Sequence, residues 1–239
     1  MSLLFLVRHG QASFLEQNYD KLSAVGEAQA RLLGEYWAER KVVFDRVFTG
    51  PRVRQRETAR IAGEVCTQKG LPWPEPIVMR EFDEYSGEAV MDQALPGLVE
   101  TDSKIRELSL AFRNAGSLRE QHSTFQRLFE AVISKWVAGE LKVENIESWP
   151  EFSARVQRGL VQISSNGGGG ERVAVFSSAG PIGVGVQYAL ELAPTVTLKL
   201  VWMVRNCSLN EFLFSRERFT MSTFNAAPHL DDPSMLTYR

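Results

Sequence analysis

The 239 residues are 44% apolar and 23% charged, with a net charge of −2 and a pI near 6.0. That is enough apolar material for a substantial core, and too little positive charge for a nucleic-acid or polyanion surface, so any anion site has to be a local pocket. Cys66 and Cys207 form neither a metal-binding nor a disulfide pattern, and no run reaches the roughly 18 apolar residues of a membrane span; a cytoplasmic protein with no nucleic-acid or membrane partner is expected.

In chain order, residues 3–7 (Leu-Leu-Phe-Leu-Val) are a continuous apolar run, the pattern of a strand buried on both faces in a parallel sheet. Ser23 is placed to cap a helix in which Val25, Ala28, Leu32, Leu33, Tyr36 and Trp37 recur at helical spacing. Residues 44–48 read as a second strand. The turn Thr49-Gly50-Pro51 follows, then a helix over 52–68 with Ile61, Val65 and Cys66 facing inward. Gly70 ends that helix, and Pro72, Pro74 and Pro76 lead irregularly to a third strand at 77–79. Strands alternating with helices at this spacing predict βαβ units. The fold class is therefore α/β, a three-layer α/β/α sandwich around a mostly parallel sheet.

Residues 88–147 are helix-like and richly charged, with no strand pattern. They are expected to form a helical cap inserted into one domain spanning 1–239. Trp149, Phe152, Val156, Leu160 and Ile163 then recur every three or four residues, an amphipathic helix returning to the sheet. Residues 166–170 (Asn-Gly-Gly-Gly-Gly) predict a turn; no Gly-Lys-Ser/Thr follows them, so they are not a phosphate loop of that type. Residues 172–177 read as the next buried strand and 180–192 as its helix. The runs 200–205, 209–214 and 219–224 read as terminal strands.

Four strand ends then deliver polar residues to one edge of the sheet, the edge where open α/β sheets bind ligands. Val7 leads to Arg8-His9-Gly10, Phe48 to Thr49-Gly50-Pro51-Arg52-Val53-Arg54, Met79 to Arg80-Glu81-Phe82-Asp83-Glu84, and Phe176 to Ser177-Ser178-Ala179-Gly180. Helix N-termini after Pro51 and Gly180 would add backbone N–H donors. Arginines beside a histidine and carboxylates suit phosphate chemistry. Only three histidines exist, His9, His122 and His229. His122 falls in the cap, where a surface position is expected.

The string Arg8-His9-Gly10-Gln11 resembles the signature of the histidine phosphatase superfamily, in its phosphoglycerate-mutase-like branch. Thr49-Gly50-Pro51-Arg52-Val53-Arg54-Gln55-Arg56-Glu57-Thr58-Ala59 resembles the second block of that family, with Arg54 at its second phosphate-binding arginine. Leu22-Ser23 with Gly26 and Gln29-Ala30 resembles the intervening helix, and Phe82-Asp83-Glu84-Tyr85 the acid block. Residues 173–181 resemble the strand and turn that carry a second histidine, and Pro228-His229-Leu230 a common tail.

The resemblance implies a metal-independent, cofactor-free phosphatase acting on a small phosphomonoester. Neutral His9 attacks phosphorus and forms a phosphohistidine. Arg8 and Arg54 clamp the phosphoryl oxygens, and Glu84, with Glu81 as the alternative, moves the proton. Ser178, Gln11 and Ser13 line the pocket. One departure matters: the second histidine aligns with Ser178, and His229 is the other candidate to replace it. A hydrogen bond to a charged group contributes about 1.5–3 kcal/mol against about 0.5–1.5 for a neutral one, so the departure implies a rate lower by about one order of magnitude. A mutase fits less well, since it must also protect the intermediate from water. The reading from another class is a phosphate-ligand binding or regulatory protein on a degenerate phosphatase fold. The acidic residues Glu88, Asp92, Glu100 and Asp102 disfavour a highly phosphorylated substrate.

Overall fold

A computed structural model describes residues 1–13, 20–165 and 169–238. Six strands form one sheet: β1 (Ser2–Arg8), β2 (Arg46–Thr49), β3 (Ile77–Val78), β4 (Arg172–Ser177), β5 (Leu209–Phe214) and β6 (Phe219–Ala226). Their order is β3-β2-β4-β1-β5-β6. The first four run parallel, whereas β5 is antiparallel to β1 and β6 to β5. Arg8 is in register with Ser177, and Thr49 with both Phe176 and Val78. The carboxyl ends of β1, β2, β3 and β4 therefore meet at one edge, and the loops leaving them share it.

Alternation along β1 separates two faces. Phe5 and Val7 pack with Leu33, Trp37, Phe44, Ala59, Ala62 and Phe176 beneath α1 (Ala24–Glu39) and α2 (Val53–Gln68). Leu6 points the other way, towards α7 (Ala179–Leu190), where a Cβ on Gly185 would lie 2.6 Å from its Cδ1. Helices thus cover both faces of the sheet, as expected.

Ser23 caps α1 by accepting from the Gly26 amide. The buried stripe of α1 is not the one its large residues indicate: Gly26, Gln29, Ala30, Leu33, Gly34 and Trp37 face inward. The cause is close helix packing, since a Cβ on Gly34 would sit 2.6 Å from the Ala62 carbonyl of α2. Residues 200–205 are not a strand. They end α8 (Pro194–Val201), which Pro194 starts, and continue into a turn. A short apolar run does not separate strand from buried helix by periodicity. Residues 166–168 of the expected glycine turn lie outside the described residues; Gly170 turns with φ of 87°.

The chain divides into two compact units, Met1–Glu84 with Ala154–Arg239, and Tyr85–Ser153. The first holds the sheet. The second contains α3 (Gly87–Thr101), α4 (Ser103–Arg113) and α5 (Leu118–Val137), built around Tyr85 stacked on Trp136, with Trp149 and Phe152 edge-on or tilted nearby. The boundary at Ser153 falls within α6 (Trp149–Ser165). Among the described residues no helix is long and apolar enough to cross a membrane.

Candidate active site

His9 follows the last residue of β1 and is held at both ends of its peptide unit. Its amide donates to Ser177 O at 2.9 Å, and its carbonyl accepts from Asn206 Nδ2 and the Cys207 amide, both at 3.2 Å. The imidazole is buried. Nδ1 lies 2.7 Å from Gly10 O, and a carbonyl only accepts, so Nδ1 carries the hydrogen. Nε2 is then the lone-pair nitrogen, and Arg54 Nε donates to it at 3.1 Å. Burial, then Arg54, then Arg8 hold the imidazole well below its ordinary pKa, against a smaller raising effect of the Gly10 bond. The ring is neutral at neutral pH, with Nε2 facing an arginine.

Arg8 is buried, and its Nη1 donates to Val204 O. Arg54 stands in the first turn of α2. Its Nη1 pairs with Asp20 at 2.9 Å, and Asp20 also accepts from the Val53 amide at 2.9 Å, so one carboxylate both terminates α2 and holds the clamp arginine. Thr58 fixes the helix to the loop after β1: its hydroxyl accepts from Gly10 N at 3.0 Å and donates to Arg54 O at 2.7 Å. Gly10 itself has no room for a side chain, since a Cβ would lie 2.4 Å from Gly26 O.

The acid block follows a 3-10 turn, Arg80–Phe82. Glu84 Oε2 accepts from Gly180 N at 3.1 Å, in the first turn of α7. Asp83 is occupied elsewhere, by Arg52 Nε at 2.6 Å and by the Glu84 amide at 2.8 Å. Arg155 Nη1 pins the block by donating to the carbonyls of Arg80, Glu81 and Asp83 at 3.0–3.1 Å. Of the two candidate acids, Glu84 is the one placed at the α7 N-terminus. Ser178, the N-cap position of α7, is buried and follows Ser177, the register partner of Arg8; its Oγ accepts from Gln55 Nε2 at 2.8 Å.

The remaining candidates have structural partners. Gln11 Oε1 accepts from Ser23 Oγ at 2.9 Å, and Ser13 Oγ donates to Leu22 O at 3.3 Å. His122 is exposed on α5. The ring of His229 lies 5.9 Å from that of Tyr36 on α1, and among the described residues neither ring nitrogen has a hydrogen-bond partner. Among the described residues no hydrogen bond links it to His9. Sequence reading overlooked Asp20, Gln55, Thr58 and Asn206. A polar residue on the buried stripe of α2 was the available signal for Gln55 and Thr58, which line up there with Ala59 and Ala62.

The sequence profile of the histidine phosphatase superfamily (branch 1) matches residues 4–90 and 88–227. Phosphoglycerate mutase 1 of Saccharomyces cerevisiae is 38% identical over 78 residues, 30% of this chain and 32% of that protein, so the chain matches about a third of the length of this curated relative. Among solved structures, the phosphoserine phosphatase of Entamoeba histolytica in complex with 3-phosphoglyceric acid is similar with a TM-score of 0.63 at 18% identity, covering 96% of this chain and 100% of that one. Phosphoglycerate mutase from Bacillus anthracis str. Sterne gives 0.60 at 17% identity, covering 96% and 95%. At these identities the structural likeness is one of fold.

Proposed function

The chain belongs to the histidine phosphatase superfamily, branch 1, and from that premise we propose that it is a phosphatase hydrolysing a small phosphomonoester through a phosphohistidine on His9. The observation that carries this reading is the state of His9: Nδ1–H is committed to Gly10 O, and Nε2 is left as a lone pair 3.1 Å from Arg54 Nε. A phosphoryl group drawn to that arginine meets the nucleophile in the same place.

In the first step Nε2 attacks phosphorus and the bond to the leaving oxygen breaks. Glu84 gives its proton to that oxygen. The imidazole becomes cationic on bonding phosphorus, and the Gly10 carbonyl stabilises the charge on Nδ1–H. In the second step Glu84 takes a proton from water, the resulting oxygen attacks phosphorus, the N–P bond breaks, and inorganic phosphate leaves neutral His9 behind. Arg8 and Arg54 offset the charge on the phosphoryl oxygens throughout, which is the work a metal ion would otherwise do. The Ser178 hydroxyl adds a neutral donor. Gln11 and Ser13 serve the loop around the pocket. Cys66 and Cys207, both free and buried, suit a reducing compartment such as the cytoplasm, and neither a nucleic acid nor a membrane is required as partner.

The second reading, a phosphate-binding protein without turnover, is favoured by Ser178, which supplies no cation at the position where the resemblance puts the family's second histidine. Hydrolysis of p-nitrophenyl phosphate in EDTA separates the two. The phosphatase turns over without added metal and loses that activity in His9→Ala. Equal residual rates in wild type and His9→Ala, with orthovanadate still bound, would leave only the binding protein.

A further inference from the structure

Ser178 is a hydroxyl, able to donate or accept, and what it does depends on the group behind it. That group is Gln55, fully buried on α2. The orientation of its amide is dictated by the backbone. Oε1 lies 3.0 Å from Arg52 N, a donor, so oxygen has to be there. Nε2 then faces Phe82 O at 3.4 Å and Ser178 Oγ at 2.8 Å. Phe82 O already accepts from Ser177 Oγ at 2.8 Å. Gly50 makes the space: a Cβ there would lie 2.2 Å from Gln55 Oε1 and 2.5 Å from Phe82 O. Every neighbour of the amide therefore enforces one arrangement.

The geometry points to Gln55 as a positioning residue that commits Ser178 to donate its proton to the phosphoryl group. One of the two Oγ lone pairs accepts from Gln55 Nε2–H, which turns the hydroxyl proton away from the amide, and among the described residues no group accepts that proton. Ser178 leaves β4 at the level where His9 leaves β1, because Ser177 is the register partner of Arg8. Gln55 and Ser178 together then present one fixed, uncharged donor where the resemblance puts a second histidine. A serine backed by an acceptor would turn its proton inward and offer phosphate only oxygen lone pairs, which repel it.

This inference rests on the phosphate-site reading above. Its test is the dissociation constant of orthovanadate, measured by calorimetry, alongside kcat and KM for p-nitrophenyl phosphate. Ser178→Ala weakens orthovanadate about tenfold. Gln55→Glu is nearly isosteric and still accepts from Arg52 N, but it places an acceptor against Ser178 Oγ and turns the hydroxyl around. It too weakens orthovanadate about tenfold in the wild-type background, and by less than threefold in the Ser178→Ala background, where only its added charge acts. An equal factor in both backgrounds, or no loss in Ser178→Ala, overturns the inference; the latter decides the matter even if Gln55 variants fold poorly by circular dichroism. Orthovanadate binding by wild type with independent effects of the two residues leaves the phosphate site standing and removes only the role of Gln55. Failure of wild type to bind orthovanadate or phosphate removes both.

Discussion

His229 offers a prediction whose size follows from its surroundings. The imidazole is buried, both ring nitrogens lack a partner among the described residues, and burial pushes its pKa down to about 4 from 6.5. The folded protein therefore binds fewer protons at this residue than the unfolded chain between these two values. Stability from this source is complete above the unfolded value and is lost as pH falls below it, about 3 kcal/mol in full and about 2 kcal/mol of it by pH 5. His229→Leu, similar in volume and apolar, removes the liability. The assay is urea unfolding of wild type and variant at pH 7.5 and pH 5. The variant is at least as stable at pH 7.5, and wild type loses about 2 kcal/mol more than the variant on acidification; His9 and the carboxylates are common to both proteins and cancel. Equal losses would refute the reasoning. The same variant keeps its phosphatase rate within about twofold, whereas a stand-in for the second histidine would lose about a factor of ten, as expected for a charge-assisted hydrogen bond.

Three further outcomes are expected. Asp20→Asn keeps an acceptor for the Val53 amide but removes the negative charge on Arg54; inorganic phosphate then binds about fivefold more tightly, equivalent to about 1 kcal/mol, by titration calorimetry. Ser178→His alone has no room against Gln55 and is destabilised by about 1–3 kcal/mol in urea unfolding. Combined with Gln55→Ala, which vacates that space, it raises the hydrolysis rate about tenfold. The acid limb of kcat/KM assigned to His9 lies below the ordinary histidine value, because burial, Arg54 and Arg8 all disfavour its charged form; a limb at or above 6.5 that vanishes on no other substitution would contradict this.

The parts of this protein that were legible in the sequence are those with a local signature. The runs at 3–7 and 172–177 are short, mainly apolar and of strand length, and they are β1 and β4. The stripe of Trp149, Phe152, Val156, Leu160 and Ile163 is buried as its period requires. The stripe of α1 misled, because Ala30 packs with Ile61 and Gly34 against Ala62, both of α2, while Gly26 lies against Gln11 in the loop after β1, so their own hydrophobicity does not set their burial. The run at 200–205 misled for a related reason: its apolar residues have no preferred period, and the helix started by Pro194 takes in Leu200 and Val201 while the rest leave it through a turn.

The site divides in the same way. Arg8, His9, Arg54 and Glu84 sit in short strings, in which the residue types of the proposed nucleophile, clamp and acid are already present. Asp20, Gln55, Thr58 and Asn206 do not. Asp20 reaches Arg54 from 34 positions away, Gln55 reaches Ser178 across 123, and Asn206 reaches His9 across 197. Each is an ordinary polar residue until the sheet brings its partner near, and that proximity is a property of topology. Ser178 shows both sides: its place in the string Ser177-Ser178-Ala179-Gly180 was legible, but the Gln55 amide that donates to its hydroxyl was not.

The proposed phosphatase cycle requires a covalent bond between phosphorus and His9. Wild type mixed with radiolabelled p-nitrophenyl phosphate, quenched in alkaline detergent, and digested should carry label on the peptide containing His9, stable in base and released by acid. His9→Ala should carry none. Turnover that proceeds at the wild-type rate in His9→Ala, or label on a base-labile residue instead, would contradict the mechanism.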